Sequence, residues 1–148
     1  MKRFAFRYQT LLEVREQAQR REEEKLRRLL GDQAAEAADL ARLESEAEAS
    51  RQAFAAELGG RLELDHVLTM HGCLDAHAAR IEAARRRLEA CEARVLNQRE
   101  VLLVTQQEAE VLRRLKARDF EAWRRSLDRA EAALLDEIAT LRHTRRSV

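Results

Sequence analysis

Along the second half of the chain, Leu74, Ile81, Leu88, Val95, Leu102 and Ala109 recur every seven residues. Val67, His71, Ala78 or Ala84, Cys91 and Leu112 can fill the alternate positions of the same stripe. A seven-residue apolar repeat sustained this long is the pattern of helices that supercoil left-handedly about each other. Near residues 112–120 the apolar phase shifts, and Phe120, Leu127, Leu134 and Leu141 carry the repeat onward. In the first half Leu40, Leu43, Ala47, Ser50 and Phe54 keep 3-4 spacing, as do Phe4, Tyr8 and Leu11. Between them stand Leu26, Leu29 and Leu30 and then a run of alanines. Small residues let helices approach closely but bury little area, so this middle is expected to be the softer part.

Only one place reads as a connection. Gly59-Gly60 is a good helix stop, with the left-handed backbone that a helix C-cap favours, and Asp65 offers an N-cap for a second helix. Gly31 and Gly72 weaken a helix by about 1 kcal/mol relative to alanine without ending it. The expected architecture is all-α: an elongated antiparallel two-helix coiled-coil hairpin in a single domain. It has a helix over 4–58, a loop over 59–65, a helix over 66–142 and a frayed tail over 143–148. Residues whose numbers sum to roughly 122–132 should face each other. That register gathers Phe4, Phe6, Tyr8, Phe120 and Trp123 at the open end. The second helix should overhang beyond about residue 130.

Composition agrees. The 148 residues include no proline, four glycines, 37% charged residues and 4% aromatics, which leaves too little turn and β-branched chemistry for a sandwich or an α/β domain. Twenty-eight basic residues against twenty-seven acidic ones leave a net charge of +1, so no global field steers the chain to nucleic acid or membrane. Cys73 and Cys91 lack metal-site or disulfide spacing. Residues 1–12 hold no apolar signal-peptide core, and the run Val101–Val104 is far shorter than a membrane span. The expectation is a soluble, cytoplasmic protein with reduced thiols.

The opening Phe4-Ala5-Phe6-Arg7-Tyr8-Gln9-Thr10-Leu11-Leu12-Glu13-Val14-Arg15 resembles the F-x-F-R-L-Q-x-L-L-x-x-R start of the flagellar export protein FliJ family. Tyr8 departs from the usual leucine. The tail, with Lys116, Glu121, Trp123-Arg124-Arg125, Glu131, Leu135-Asp136-Glu137-Ile138-Ala139 and Arg142-His143, resembles the way such proteins end. The resemblance implies a stalk-like coiled coil of the flagellar type III export apparatus, cytoplasmic and peripheral to the inner-membrane machinery. Its implied partners are the hexameric export ATPase, which receives the paired termini, and the cytoplasmic domain of the membrane export gate. Export substrates or their chaperones are further implied partners.

Candidate binding residues follow. At the open end, Phe4, Phe6, Phe120 and Trp123 either close the coiled coil or anchor a partner. Residues two apart on a helix point about 200° apart, so Phe4 and Phe6 cannot both face the seam, and one is expected to be exposed or to pack on a partner. Lys2, Arg3 and Arg7 flank them, and Arg113, Arg114, Lys116, Arg118, Arg124, Arg125 and Arg129 form a basic stretch, with Arg142, Arg145 and Arg146 beyond. The resemblance adds Arg15 to the ATPase-facing set of Phe4, Phe6, Arg7, Phe120, Trp123, Arg124 and Arg125. No motif transfers specific gate contacts; the gate-facing candidates are Leu40, Leu43, Phe54, Leu74 and Ile81 of the apolar stripe, residues that read first as the helix–helix seam. Among His66, His71, Cys73 and His77, positions 73 and 77 can share a helix face, but His66, His71 and His77 do not all fall on one helix side, so neither metal nor cofactor is expected. No phosphate loop or nucleophile–base pair is present, so no enzyme activity is expected. No nucleic-acid partner is expected either, because compensating acids lie close to the bases. The competing readings are the equivalent stalk of a virulence-type secretion system and a generic coiled-coil scaffold.

Overall fold

A computed structural model gives the structure of residues 3–61 and 63–146. Lys2, Ser147 and Val148, and the side chains of residues 144–146, lie outside the described residues, and with them most of the expected frayed tail, Arg145 and Arg146. Two helices, α1 (Gln9–Glu57) and α2 (Leu64–Arg146), pack against each other as a helical hairpin, and no strand occurs among the described residues. The fold is the expected all-α one. The helix ends differ in detail. α1 opens at Gln9 rather than at Phe4, and α2 opens at Leu64 with Asp65 inside its first turn, where a carboxylate favours the helix dipole. Neither Gly59 nor Gly60 takes a positive φ. The stop therefore is not a left-handed cap. Two consecutive glycines end α1 through poor helix propensity, while Gly60 N–H still donates to the Glu57 carbonyl at 3.1 Å.

The hairpin comprises two compact units, Met1–Arg20 with Leu103–Val148, and Arg21–Leu102. In the second unit, Leu43, Ala47, Ile81 and Ala84 form a buried cluster with Leu40 packed against it. Ala47 and Ala84 are 1% and 0% exposed, so the small side chains draw the helices together while Leu43 and Ile81 supply the apolar area. Met70, Cys91, Val95 and Leu102 extend the seam along α2. Val67, His71 and Ala78 do not contribute to it and are exposed.

The stretch of α1 from residue 21 to 42 buries no apolar side chain fully. Polar links across the helices hold it instead. The Gln98 amide donates to both the carboxylate (2.6 Å) and the backbone carbonyl (3.2 Å) of Glu22. Arg87 reaches Glu36 and Asp39 at 2.9 and 2.8 Å, and Arg85 reaches Glu44 at 2.9 Å. The Arg42 hydrogen bond, with Arg87 behind it, holds the Asp39 carboxyl below the usual carboxylate range. Lys25 first and Gln98 second do the same for Glu22.

In the first unit, Phe6, Leu12 and Ala109 are buried. Here the sheltered positions differ from the apolar ones. On α1 the seam residue is Leu12, 4% exposed, whereas Leu11 is 44% exposed and Tyr8 is exposed too. On α2 the sheltered positions keep their 4-3 alternation through Thr105, Ala109, Leu112, Lys116, Asp119 and Trp123, with no phase shift. Phe120, expected in the seam, is 40% exposed, and Leu134 and Leu141 are each 57% exposed. The apparent shift arises because the seam carries polar residues at 105, 116 and 119, so the apolar residues no longer mark it.

Candidate functional site: the aromatic and basic end

Residues 3–8 precede α1 without helical structure, and this changes what Phe4 and Phe6 can do. Freed from helical spacing, neither ring has to point into water. Phe6 is 8% exposed and Phe4 is half-buried, which overturns the expectation that one of them is exposed. The Phe6 carbonyl accepts from Gln9 N–H at 3.2 Å and so ties this segment to the first turn of α1.

Phe4 stands edge-on to Phe120, with centroids 5.3 Å apart and ring planes at 82°, and lies 5.9 Å from Trp123. Phe120 and Trp123, three residues apart on α2, are neighbours at 5.7 Å. The three rings thus form one cluster joining the lead-in segment to α2. Contacts of this kind are each worth about 0.5–1.5 kcal/mol beyond area burial. Phe6 packs edge-on to Tyr8 at 5.9 Å, and the Arg7 guanidinium sits 5.4 Å from the Tyr8 ring centroid, within cation–π range. The five aromatic residues make ring contacts in two groups, Phe4–Phe120–Trp123 and Phe6–Tyr8, rather than one.

The basic residues divide by what they bind. Arg15 pairs with Glu108 at 2.8 Å, and Arg113 donates to Glu16 (3.0 Å) and Gln19 (3.1 Å). Lys116 donates to Gln9 at 2.8 Å. These three are cross-helix ties. Lys116 and Arg113 read as part of a solvated basic stretch in the sequence, and only the antiparallel register, which sets 116 beside 9 and 113 beside 16, reveals their role. Arg124 is exposed and has no hydrogen bond or ion pair among the described residues. Arg125 and Arg129 donate only to backbone carbonyls one turn back, those of Glu121 and Arg125. An open groove beside Ala122, Arg125, Asp128 and Arg129 completes this face. The arrangement offers exposed aromatic edges next to guanidinium groups whose charge is not neutralised by a bound carboxylate.

The residues offered for the gate lie elsewhere. Leu43 and Ile81 are buried in the cluster of the second unit, and Leu40, Phe54 and Leu74 are half-buried. The histidines have separate partners: His66 bonds to Glu57 (2.7 Å), His71 to Asp75 (3.1 Å) and His77 to Ser50 (3.0 Å). Among the described residues, no three His, Cys, Asp or Glu side chains converge as a metal site, and no helix is long and apolar enough to cross a membrane.

The family model described as Flagellar FliJ protein matches residues 4–147. The chain belongs to the FliJ family. A FliJ-family chain is a component of flagellar protein export, which agrees with the helical hairpin and with the opening and closing motifs. Neither a curated protein nor a solved structure matches the chain.

Proposed function

We propose that this FliJ-family protein acts as a non-enzymatic stalk in the cytoplasm. It binds and regulates the hexameric flagellar export ATPase through its aromatic and basic end, and links that ATPase to the membrane export gate. The observation that supports this most is the Phe4–Phe120–Trp123 cluster beside Arg124 and Arg125, since aromatic and arginine side chains dominate binding hot spots. Exposed guanidinium groups suit an acidic ring interior, and their contribution falls steeply with salt. A single asymmetric hairpin in a six-fold ring meets non-equivalent subunits. Binding one subunit conformation better than the others biases the catalytic cycle by population shift. Contact with the gate belongs to the second unit, through the half-buried Leu40, which packs on the cluster of Leu43 and Ile81, and through the half-buried Phe54 and Leu74. Export substrates or their chaperones are further partners in this reading.

The experiment is a pull-down and turnover assay with the flagellar export ATPase. The expected outcome is a complex that weakens as salt rises and a change in ATP turnover on adding the protein. Absence of both contradicts the stalk reading and favours a scaffold with no export role.

A further inference from the structure

Beyond Trp123 the seam face of α2 stays apolar while its surroundings change. Leu127 is half-buried, and every described side chain from 128 to 143 is exposed, including Leu134 (57%), Leu135 (65%) and Ile138 (39%). At 100° per residue, Leu127, Leu134, Ile138 and Leu141 fall within about 60° of one another, on the face that Trp123 also occupies. A helix face meant only for water has no reason to keep leucine at three consecutive heptad positions, 127, 134 and 141. Charged residues instead flank the stripe, with Asp128, Glu131 and Arg142 on one side and Glu137 on the other.

We propose that a second copy of this chain covers the stripe, antiparallel, about a two-fold axis at Leu134. Such an axis places Leu134 against its own copy, Leu127 against Leu141 of the partner subunit, and Ala130 against Ile138 of the partner subunit. In an antiparallel pair each flank meets the same flank of the other helix. Asp128 then lies opposite Arg142 of the partner subunit, and symmetry repeats this ion pair at the other end. Leu135 meets its own copy between the two pairs. Glu131 and Glu137 sit on opposite flanks and do not confront each other. In a parallel pair opposite flanks meet, so Asp128 stands 14 residues along the axis from Arg142, Leu135 loses the contact with its own copy, and Glu131, one heptad before Ile138, comes close to its own copy at the edge of the stripe. The exposed aliphatic area is on the order of 400 Å² per copy, about 800 Å² for the pair and below the roughly 1,200 Å² total of standard interfaces, so the dimer is weak and concentration-dependent. This pairing does not depend on the ATPase reading.

Sedimentation equilibrium of the full chain from micromolar to millimolar concentration tests it. A monomer–dimer equilibrium is expected, with Leu134→Glu raising the dissociation constant at least about tenfold while helicity is unchanged. Asp128→Arg and Arg142→Asp should each weaken the dimer several-fold, and the double variant Asp128→Arg/Arg142→Asp should restore it. Under mild oxidation Leu134→Cys should give a covalent dimer faster than the parent protein, whereas Leu127→Cys should link to Leu141→Cys and not to itself. A monomer throughout, indifference to Leu134→Glu, failure of the charge swap to restore pairing, or Leu127→Cys linking to itself as fast as Leu134→Cys overturns the proposal.

Discussion

Leu11 and Leu12 are adjacent, identical in chemistry and both in the first turn of α1, yet only Leu12 lies in the seam. Truncating each to alanine isolates the effect of facing α2. Leucine to alanine removes about three carbons, and at about 0.8 kcal/mol per buried methylene the full transfer loss is about 2.4 kcal/mol. Leu12 is 4% exposed, so nearly all of that applies. Leu11 is 44% exposed, which leaves little more than half, about 1.3 kcal/mol at most. Alanine's higher helix propensity returns roughly 0.2 kcal/mol to both variants. A two-helix seam is open at its edges and collapses readily, so the cavity penalty of a globular core adds little. The expected losses are about 2 kcal/mol for Leu12→Ala and about 1 kcal/mol or less for Leu11→Ala. Urea titration followed by Trp123 fluorescence measures them, because the single tryptophan lies in the same unit as both leucines. Equal losses, or a larger one for Leu11→Ala, would refute the assignment of the seam to Leu12.

Two further predictions concern the second unit. The folded-state pKa values of Asp39 and Glu22 are lowered, so their contribution is present above the unfolded carboxylate range and is lost as pH falls through the depressed folded values. The urea midpoint read by helix circular dichroism should therefore drop in that acid window, and Asp39→Asn with Glu22→Gln should flatten the drop. An unchanged pH dependence in that variant would show that other carboxylates govern it. The two thiols differ as well: Cys73 is exposed and Cys91 is buried in the seam. An aromatic disulfide reagent should modify Cys73 at the rate of a free thiol and Cys91 only in step with helix separation. Equal rates would contradict the packing around Cys91.

Much of the fold was legible because the heptads of α2 between Ile81 and Ala109 use apolar residues at most seam positions. The register was legible too: the loop position alone brings Phe4 to Phe120, His77 to Ser50 and Arg113 to Glu16, with the Gln98–Glu22 bond just outside the expected range. Hydrophobic periodicity failed where the seam becomes polar. Lys116 and Asp119 occupy sheltered positions, so reading apolar residues alone shifted the phase onto Phe120. Leu11 and Leu12 illustrate the same limit at the start of α1, since an adjacent pair of leucines satisfies either phase. Residues 4–8, just before Gln9, were read as helix because nothing in their composition forbids it. Their tertiary contacts decide otherwise, with the Phe4 ring held against Phe120 and Trp123 and Phe6 buried. The lack of fully buried apolar side chains in the middle of α1 was legible in its sparse large apolar residues, but the Arg87–Glu36–Asp39 links there emerge only once the two helices are set side by side.

The central functional claim is that the aromatic and basic end engages the export ATPase. Its most direct measurement is the affinity of the protein for that ATPase at low and high salt, compared among three variants. Phe4→Ala/Trp123→Ala removes the ring cluster, and Arg124→Glu/Arg125→Glu reverses exposed charges without touching the seam. Leu64→Ala changes an exposed residue of the other unit, 73% exposed, and serves as the control. The account predicts that both double variants lose affinity by about tenfold or more, that the charge reversal also removes most of the salt dependence, and that Leu64→Ala binds like the parent. Parent-like binding by the folded Arg124→Glu/Arg125→Glu and Phe4→Ala/Trp123→Ala proteins would contradict it.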